Sequence, residues 1–501
     1  MKNILIAIPQ LEVHRPPIST AVIAGTLKKN GFDVKCLDLN IELFKQWGSD
    51  DYYHMSDIWE SNRTITEEET IRLQAFIKKE LLVHCDNETR LMISVFTQNS
   101  HLFSHIICEM TRDTYPQCEI VIGGQGVTTK NISESSKFGE IMLKANLVDY
   151  VIYGEGEQCI IELLNGNTSY PGINNNDKLL QIPNLDDIAF PNYDQYDLQD
   201  YDYLLNKPEV NIIGSRGCVR KCTYCDVAAF WPKFRYRTGQ NISDEMISQY
   251  EKHGVNTFYF TDSLINGSLK AFRDMCDKLA NYNQTHKAGF EWGGQFIFKP
   301  KKQLTDDYFD MIAEAGGNTF YVGVETGSDK IRWEMDKKFT NEDIDYHLHH
   351  FQRTGMHCFY LMIIGYLTET LEDHQDNLAM FSRWQKYVAS KTITGIDLST
   401  TLGFLPNTPL SKMIDSHKVK FLAKEYDPLG NETVNSMSWV SGLNPELTFE
   451  ERMRRRLEVH EYAMKYKWPI WRGPQRLKSL YNLTKLFKEG TGQRVSLVNI
   501  N

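Results

Sequence analysis

From about position 206 the chain repeats one unit, an apolar run followed by a longer segment with helical periodicity. The apolar runs fall at 210–213, 257–261, 290–296, 319–324, 358–364 and 394–402. Between them, 243–252, 269–281, 305–315, 328–335 with 341–354, and 371–386 carry apolar residues on one helical face. In 269–281 that face holds Leu269, Phe272, Cys276 and Leu279, so Cys276 reads as core. Strands joined by crossover helices lie parallel. Six such units in sequence fit an open, partial (β/α)6 barrel of TIM type better than a flat sheet. Barrels of this kind gather their chemistry at the carboxyl ends of the strands.

The first strand of the set ends in Gly214-Ser215-Arg216-Gly217 and then Cys218-Val219-Arg220-Lys221-Cys222-Thr223-Tyr224-Cys225. Spacings of four and three residues let one loop wrap a single small inorganic centre. Three thiolates are one short of a closed structural zinc site. They suit an iron–sulfur cluster with one iron left open for a ligand. Arg220 and Lys221 make the loop electropositive, which favours thiolates. Zinc, with a fourth ligand from elsewhere, stays open as an alternative; no second C-x-x-C pair is present.

Composition narrows the class. Ten cysteines in 501 residues are too few and too scattered for a disulfide scaffold, which points to a reducing, cytoplasmic setting. A net charge of −10 argues against general affinity for nucleic acid. The apolar run 4–8 is too short for a signal-peptide core, and no stretch approaches membrane-spanning length. No membrane partner is expected.

Residues 1–165 alternate strands (4–8, 33–39, 91–95, 119–122, 148–153) with helices (19–30, 67–84, 101–115, 157–164). This predicts a doubly wound, Rossmann-like parallel sheet, with ligands bound beyond the carboxyl ends of its strands. Gly123-Gly124-Gln125-Gly126 and Gly154-Glu155-Gly156-Glu157 follow two of these strands, and neither has dinucleotide-fingerprint spacing. Residues 166–205, rich in Asn, Asp, Tyr and Pro, read as a linker with turns. Residues 411–501 read as mainly helical. The basic residues at 452–456 and 476–488 are expected on solvated helix faces, and Trp439, Trp468 and Trp471 cover the barrel mouth or pack an interface.

The C-x3-C-x2-C loop with Tyr224 before its last cysteine resembles the signature of the radical S-adenosylmethionine (SAM) enzymes. Residues 1–165, with Pro16-Pro17, Ile122-Gly123-Gly124 and Asp149 to Glu157, resemble the cobalamin-binding domain that precedes the barrel in one large class of them. No Asp-x-His-x-x-Gly motif occurs, so no histidine ligand to cobalt comes from it. The resemblance implies domains at 1–165 (cobalamin-binding), 206–410 (SAM barrel) and 411–501 (helical). It implies a [4Fe–4S] cluster on Cys218, Cys222 and Cys225, with SAM chelating the open iron and Tyr224 packing near the adenine. Asp262 and Ser263, Gln295, and Glu325 and Ser328 stand at the ends of strands two, three and four as SAM-binding residues, with Lys337 downstream of Glu325. Gly123, Gly124, Gly126, Gly154 and Glu155 stand as the corrinoid-binding set.

The chemistry so implied is reductive cleavage of SAM to a 5′-deoxyadenosyl radical, an electron donor of flavodoxin or ferredoxin type, and methyl transfer to an unactivated carbon. The substrate would be a small molecule, peptide or natural product. Rearrangement or ring formation by the same radical without cobalamin is the enzymatic alternative, and a non-catalytic zinc protein the other.

Overall fold

The computed structural model describes residues 1–471 except 10–11, 60–64, 129–136, 176–178, 202–206, 399–401 and 427–431. The basic segment expected at 476–488 lies outside the described residues. Five strands build the first sheet: β1 (Lys2–Ala7), β2 (Lys35–Asp38), β3 (Thr89–Ser94), β4 (Glu119–Gly123) and β5 (Tyr150–Ile152). All pair in parallel, in the order β2-β1-β3-β4-β5. The order reverses between β1 and β3, which opens a crevice at their carboxyl ends. Near-continuous apolar strands such as Ile4–Leu5–Ile6 and Leu91–Met92–Ile93 are buried on both faces, as a parallel sheet covered by helices requires. The helix Leu39–Trp59, turned at Gly48 (φ 75°), was not anticipated by periodicity.

The second sheet holds β6 (Glu209–Ile212), β7 (Thr257–Phe260), β8 (Glu291–Phe296), β9 (Gly317–Glu325), β10 (His357–Met362) and β11 (Ile393–Asp397). They pair in strict sequence order, all parallel, with β6 and β11 at the two edges. Parallel strands paired in sequence order and joined by helical crossovers are the pattern of a barrel wall. Cys276 is fully buried on the inner face of helix Leu269–His286. Glycines fit the walls closely: Gly395 packs under the Phe359 ring, and Gly293 under the Thr319 backbone.

The described part of the linker, up to Tyr201, straps the two sheets together. The Tyr193 hydroxyl donates to the Asn211 carbonyl on β6 (3.0 Å), Tyr196 meets Thr20 (2.8 Å), and Tyr201 donates to Asp38 (2.7 Å). One apolar core runs through both sheets and their helices. Each fully buried Leu, Ile or Phe in it contributes roughly 1.5–3 kcal/mol.

Beyond the barrel the chain is less helical than expected. Val419–Phe421 pairs antiparallel with Trp439–Ser441, and Lys424–Tyr426 with Glu432–Val434, before helix Phe449–Lys465. Gly442 and Pro445 break helical continuity there. The alternation in the first pair sends Phe421 and Trp439 onto Phe404, with ring centroids 5.7 and 5.3 Å away. No helix among the described residues is long and apolar enough to cross a membrane.

Candidate active site

β6 ends at Ile212, and the chain turns at once. Ser215–Arg216 pairs antiparallel with Arg235–Tyr236, closing the base of a loop that contains all three cysteines. Gly217 (φ 86°) fits the Lys233 carbonyl at the point where the loop leaves its stem; a β-carbon would approach that oxygen to 2.7 Å. The Arg220 amide donates to Cys218 Sγ (3.3 Å), and the Cys225 amide to the Cys222 carbonyl (3.1 Å). Cys218, Cys222 and Cys225 are half-buried, and none is in a disulfide. Burial raises the thiol of Cys222, against the charge of Lys337, and raises that of Cys225 to about 11. The thiols of Cys222 and Cys225 therefore hold their protons in the bare loop and release them to a metal. No three His, Cys, Asp or Glu side chains among the described residues converge as one metal ion requires. Three free thiols on one loop fit an iron–sulfur centre that leaves one iron open, and are one short of a closed zinc site.

Neighbouring strand ends clamp this loop. The Thr223 amide donates to the Met335 carbonyl (3.2 Å), its carbonyl accepts from the Leu410 amide (2.8 Å), and its hydroxyl meets that of Tyr366 (2.7 Å). The Tyr224 hydroxyl donates to Glu325 Oε1 (2.7 Å), and Lys337 Nζ lies 2.8 Å from the same oxygen. Burial opposes the charge of Lys337, but Glu325 beside it outweighs burial and raises its affinity for the proton. Glu325 reaches this place through a left-handed backbone (φ 67°) at a bulge in the β9–β10 ladder. A non-glycine residue there carries local strain, the kind that clusters at functional sites.

The other predicted residues divide. Ser263 lines a large cavity beside the loop. Gln295, half-buried on β8, stands opposite Tyr321, and its carbonyl accepts from the Ile265 amide (2.9 Å). Asp262 takes a different part from the one expected. Its carboxylate accepts from the Gly214 amide (2.8 Å) and the Ser215 hydroxyl (2.5 Å), so it braces the stem of the cysteine loop and is almost wholly buried. Burial raises its carboxyl to about 7, against those hydrogen bonds. Ser328 also turns away: it caps helix Asp329–Glu334 and donates to Asp373 (2.8 Å).

The cavity, about 800 Å³, lies between the carboxyl ends of the first sheet and the cysteine-loop side of the barrel. Leu5, Ile23, Met92, Val121 and Ile152 give it an apolar wall, and Gly123, Gly124 and Gly154 lie along it. Gly124 (φ 108°) leaves no room for a side chain, since a β-carbon would come within 2.5 Å of the Val95 carbonyl oxygen. Gly126 packs on Val95 and does not line the cavity. Glu155 lines it and also ties the sheets together. It accepts from Arg235 (2.8 Å), Trp231 Nε1 (3.1 Å) and the Ile182 amide (2.5 Å), and pairs with Arg216 (3.3 Å). Arg216 also pairs with Glu157. A broad apolar cavity at a sheet's switch point, open towards a polar barrel mouth, fits a bulky planar macrocycle.

Sequence reasoning missed two groups at this site. Glu12, His14 and Arg15, on the loop after β1, line the cavity, as do Phe230 and Trp231 after the cysteines. Charged residues directly beyond the carboxyl end of a first parallel strand were the available signal for the former. The three tryptophans also separate: Trp439 and Trp468 are buried in cores, while Trp471 lines the cavity.

Residues 212–381 match the model of the Radical SAM superfamily. The chain is 22% identical over 401 residues to the cytidylyl-2-hydroxyethylphosphonate methyltransferase of Streptomyces wedmorensis, covering 70% of this chain and 68% of that one. In fold it is similar to TsrM from Kitasatospora setae, a radical S-adenosylmethionine methyltransferase solved with cobalamin and a [4Fe–4S] cluster (TM-score 0.61, 15% identity, 92% of this chain and 91% of that one). It is likewise similar to OxsB, a cobalamin-dependent S-adenosylmethionine radical enzyme solved with aqua-cobalamin and S-adenosylmethionine (TM-score 0.64, 16% identity, 97% and 71%).

Proposed function

We propose, for a chain whose residues 212–381 make it a member of the radical SAM superfamily, that it is a cobalamin-dependent methyltransferase acting on an unactivated carbon. One observation carries the reading. The three free thiols stand on one loop, at the end of the first barrel strand, beside an apolar cavity that the first sheet shares. When bound, the cluster and SAM supply a 5′-deoxyadenosyl radical, and the corrinoid supplies a transferable methyl group.

The chain's own residues do the rest. Cys218, Cys222 and Cys225 hold the cluster. Glu325 is fixed by Lys337 and Tyr224 and presents a charged acceptor at the SAM seat. Ser263 and Gln295 offer hydrogen bonds from neighbouring strand ends, and Asp262 and Ser328 position the backbone that carries them. Gly123, Gly124 and Gly154 let the corrin approach the strand ends, and Glu155 ties that seat to the cysteine loop. On this reading the domain at 1–165 holds the corrinoid, the linker at 166–205 joins it to the barrel domain at 206–410, and the described part of the C-terminal region, 411–471, packs on the barrel. Arg220 and Lys221 give the loop a charge suited to an acidic electron donor of flavodoxin or ferredoxin type.

The test is anaerobic reconstitution. The protein is expected to turn brown with about four irons per chain, to cleave SAM reductively to 5′-deoxyadenosine, and to acquire a corrin absorption band. Cys222→Ala should lose iron and SAM cleavage, the latter by about three orders of magnitude or more given that the cofactor carries the hard step. A colourless protein, or a Cys222→Ala variant that keeps both, would mean the reading is wrong. SAM cleavage without corrin binding would remove the methyl-transfer part alone.

A further inference from the structure

Two acceptors at the barrel end of the cavity, Glu12 and Asn211, have an oxygen without a hydrogen-bond partner among the described residues. Glu12 lies on the loop after β1, and 39% of its side-chain surface remains accessible. One oxygen, Oε2, takes Arg15 (2.6 Å) and His14 Nε2 (3.0 Å), which leaves Oε1 to the cavity. Burial would raise this carboxyl, but hydrogen bonding to His14 and the charge of Arg15 outweigh it and lower the carboxyl to about 2. Arg15 is spent: it also pairs with Glu209 and stacks 4.0 Å over the Tyr259 ring. At this end two carboxylates, Glu12 and Glu209, face one guanidinium, with His14 as the second partner of Glu12. At the other end Glu155 and Glu157 are matched by Arg216 and Arg235.

A second, independent acceptor points the same way. Asn211 lines the same cavity and is 3% exposed, and its Oδ1 is buried without a hydrogen-bond partner. Its Nδ2 donates to the Pro16 carbonyl (3.2 Å), which fixes the amide so that the oxygen is the free atom. A buried acceptor left unmade costs about 1–3 kcal/mol, and a ligand bearing N–H groups recovers that cost.

We propose that Glu12 and Asn211 form the substrate's recognition site, and that the substrate carries a protonated amine with an apolar body. This rests on the methyltransferase reading for the presence of a substrate between the two sheets. With the corrin on the apolar wall of the first sheet, the space beside Val13 and Ile213 receives the body, and the ammonium meets Glu12 Oε1 and Asn211 Oδ1. Charge-assisted hydrogen bonds of this kind are the strong ones.

The probe is a matched pair, phenethylamine and 2-phenylethanol, offered by equilibrium dialysis to the full chain loaded with cluster, SAM and cobalamin. The amine is expected to bind about ten-fold more tightly or better, a difference typical of one charged hydrogen bond. Glu12→Gln should bring the ratio close to one, while Glu12→Asp, which keeps the charge, should retain part of it. Equal binding of the pair, binding of neither, or a preference that survives Glu12→Gln would overturn the proposal. So would an amine held only by corrin-free protein, since the corrin's own amides would then occupy these acceptors. Failure of the native preparation to yield 5′-deoxyadenosine sinks the enzymatic reading instead, and the two failures are distinguishable in one sample.

Discussion

Glu325, Lys337 and Tyr224 share a single oxygen, and the space for that meeting comes from a residue with no side chain. A β-carbon at Gly323 would overlap Glu325 Oε1 and come within 2.6 Å of Lys337 Nζ. Gly323→Ala is therefore expected to weaken SAM binding about ten-fold or more, equivalent to about 1.4 kcal/mol, with the fold unchanged by circular dichroism. Unchanged affinity would mean that Glu325 does not serve the SAM seat. Asp262 sets a pH dependence. Its folded-state value, about 7, lies above the ordinary 3.8, so the folded protein keeps a proton that the unfolded chain releases. Stability from this group is full below about pH 4 and is lost as pH rises towards 7. Relative to Asp262→Asn, the native protein should lose up to about 1.4 kcal/mol per pH unit across that window. Denaturant titrations at several pH values measure this, and a constant difference would refute it.

Helix Phe449–Lys465 shows how a pattern that reads as solvated can be buried. Arg452 lies 3.9 Å over the Trp439 ring and donates to the Met437 and Trp439 carbonyls (3.1 and 2.6 Å). Arg455 pairs with fully buried Glu369 (3.0 Å), and Arg456 donates to the Leu398 carbonyl (3.0 Å). Only Arg454 of the four faces water, held by Glu451 and Glu458. Arg455→Leu should destabilise the protein by about 3–5 kcal/mol because it strands the Glu369 charge. The double variant with Glu369→Leu should recover most of that in urea unfolding. A single variant as stable as the native protein would show that the pair is not buried in solution.

The legible parts of the molecule were those written in local pattern. The strands of both sheets are apolar runs set off by turns, and the cysteine spacing needs no context. Glu325 stood out because Gly323, Gly327 and Ser328 mark a tight strand end around it. Asp262 and Ser328 were harder, since an acid or hydroxyl at a strand end looks the same in sequence whether it faces a cavity or braces a loop. The tie from Arg15 to Glu209 was illegible because the two are nearly two hundred positions apart. The buried arginines were hidden for the same reason, their acceptors being carbonyls of remote loops.

At the scale of the whole molecule, the two sheets meet through Arg216, Arg235, Glu155 and Glu157. Arg216→Met should leave Glu157 uncompensated and cost about 3–5 kcal/mol, read as a lower denaturation midpoint. Iron content and corrin retention should fall together in that variant; loss of one alone would show that the interface serves a single site. Arg216 stands two residues before Cys218, and its carboxylate partners open the helix that borders the cavity. Any ligand that orders one side of this four-residue junction must, by thermodynamic reciprocity, tighten the hold on whatever sits at the other side by the same factor. The half-loaded protein is then the least populated form, and an enzyme built this way reaches its working state with both prosthetic groups in place or with neither.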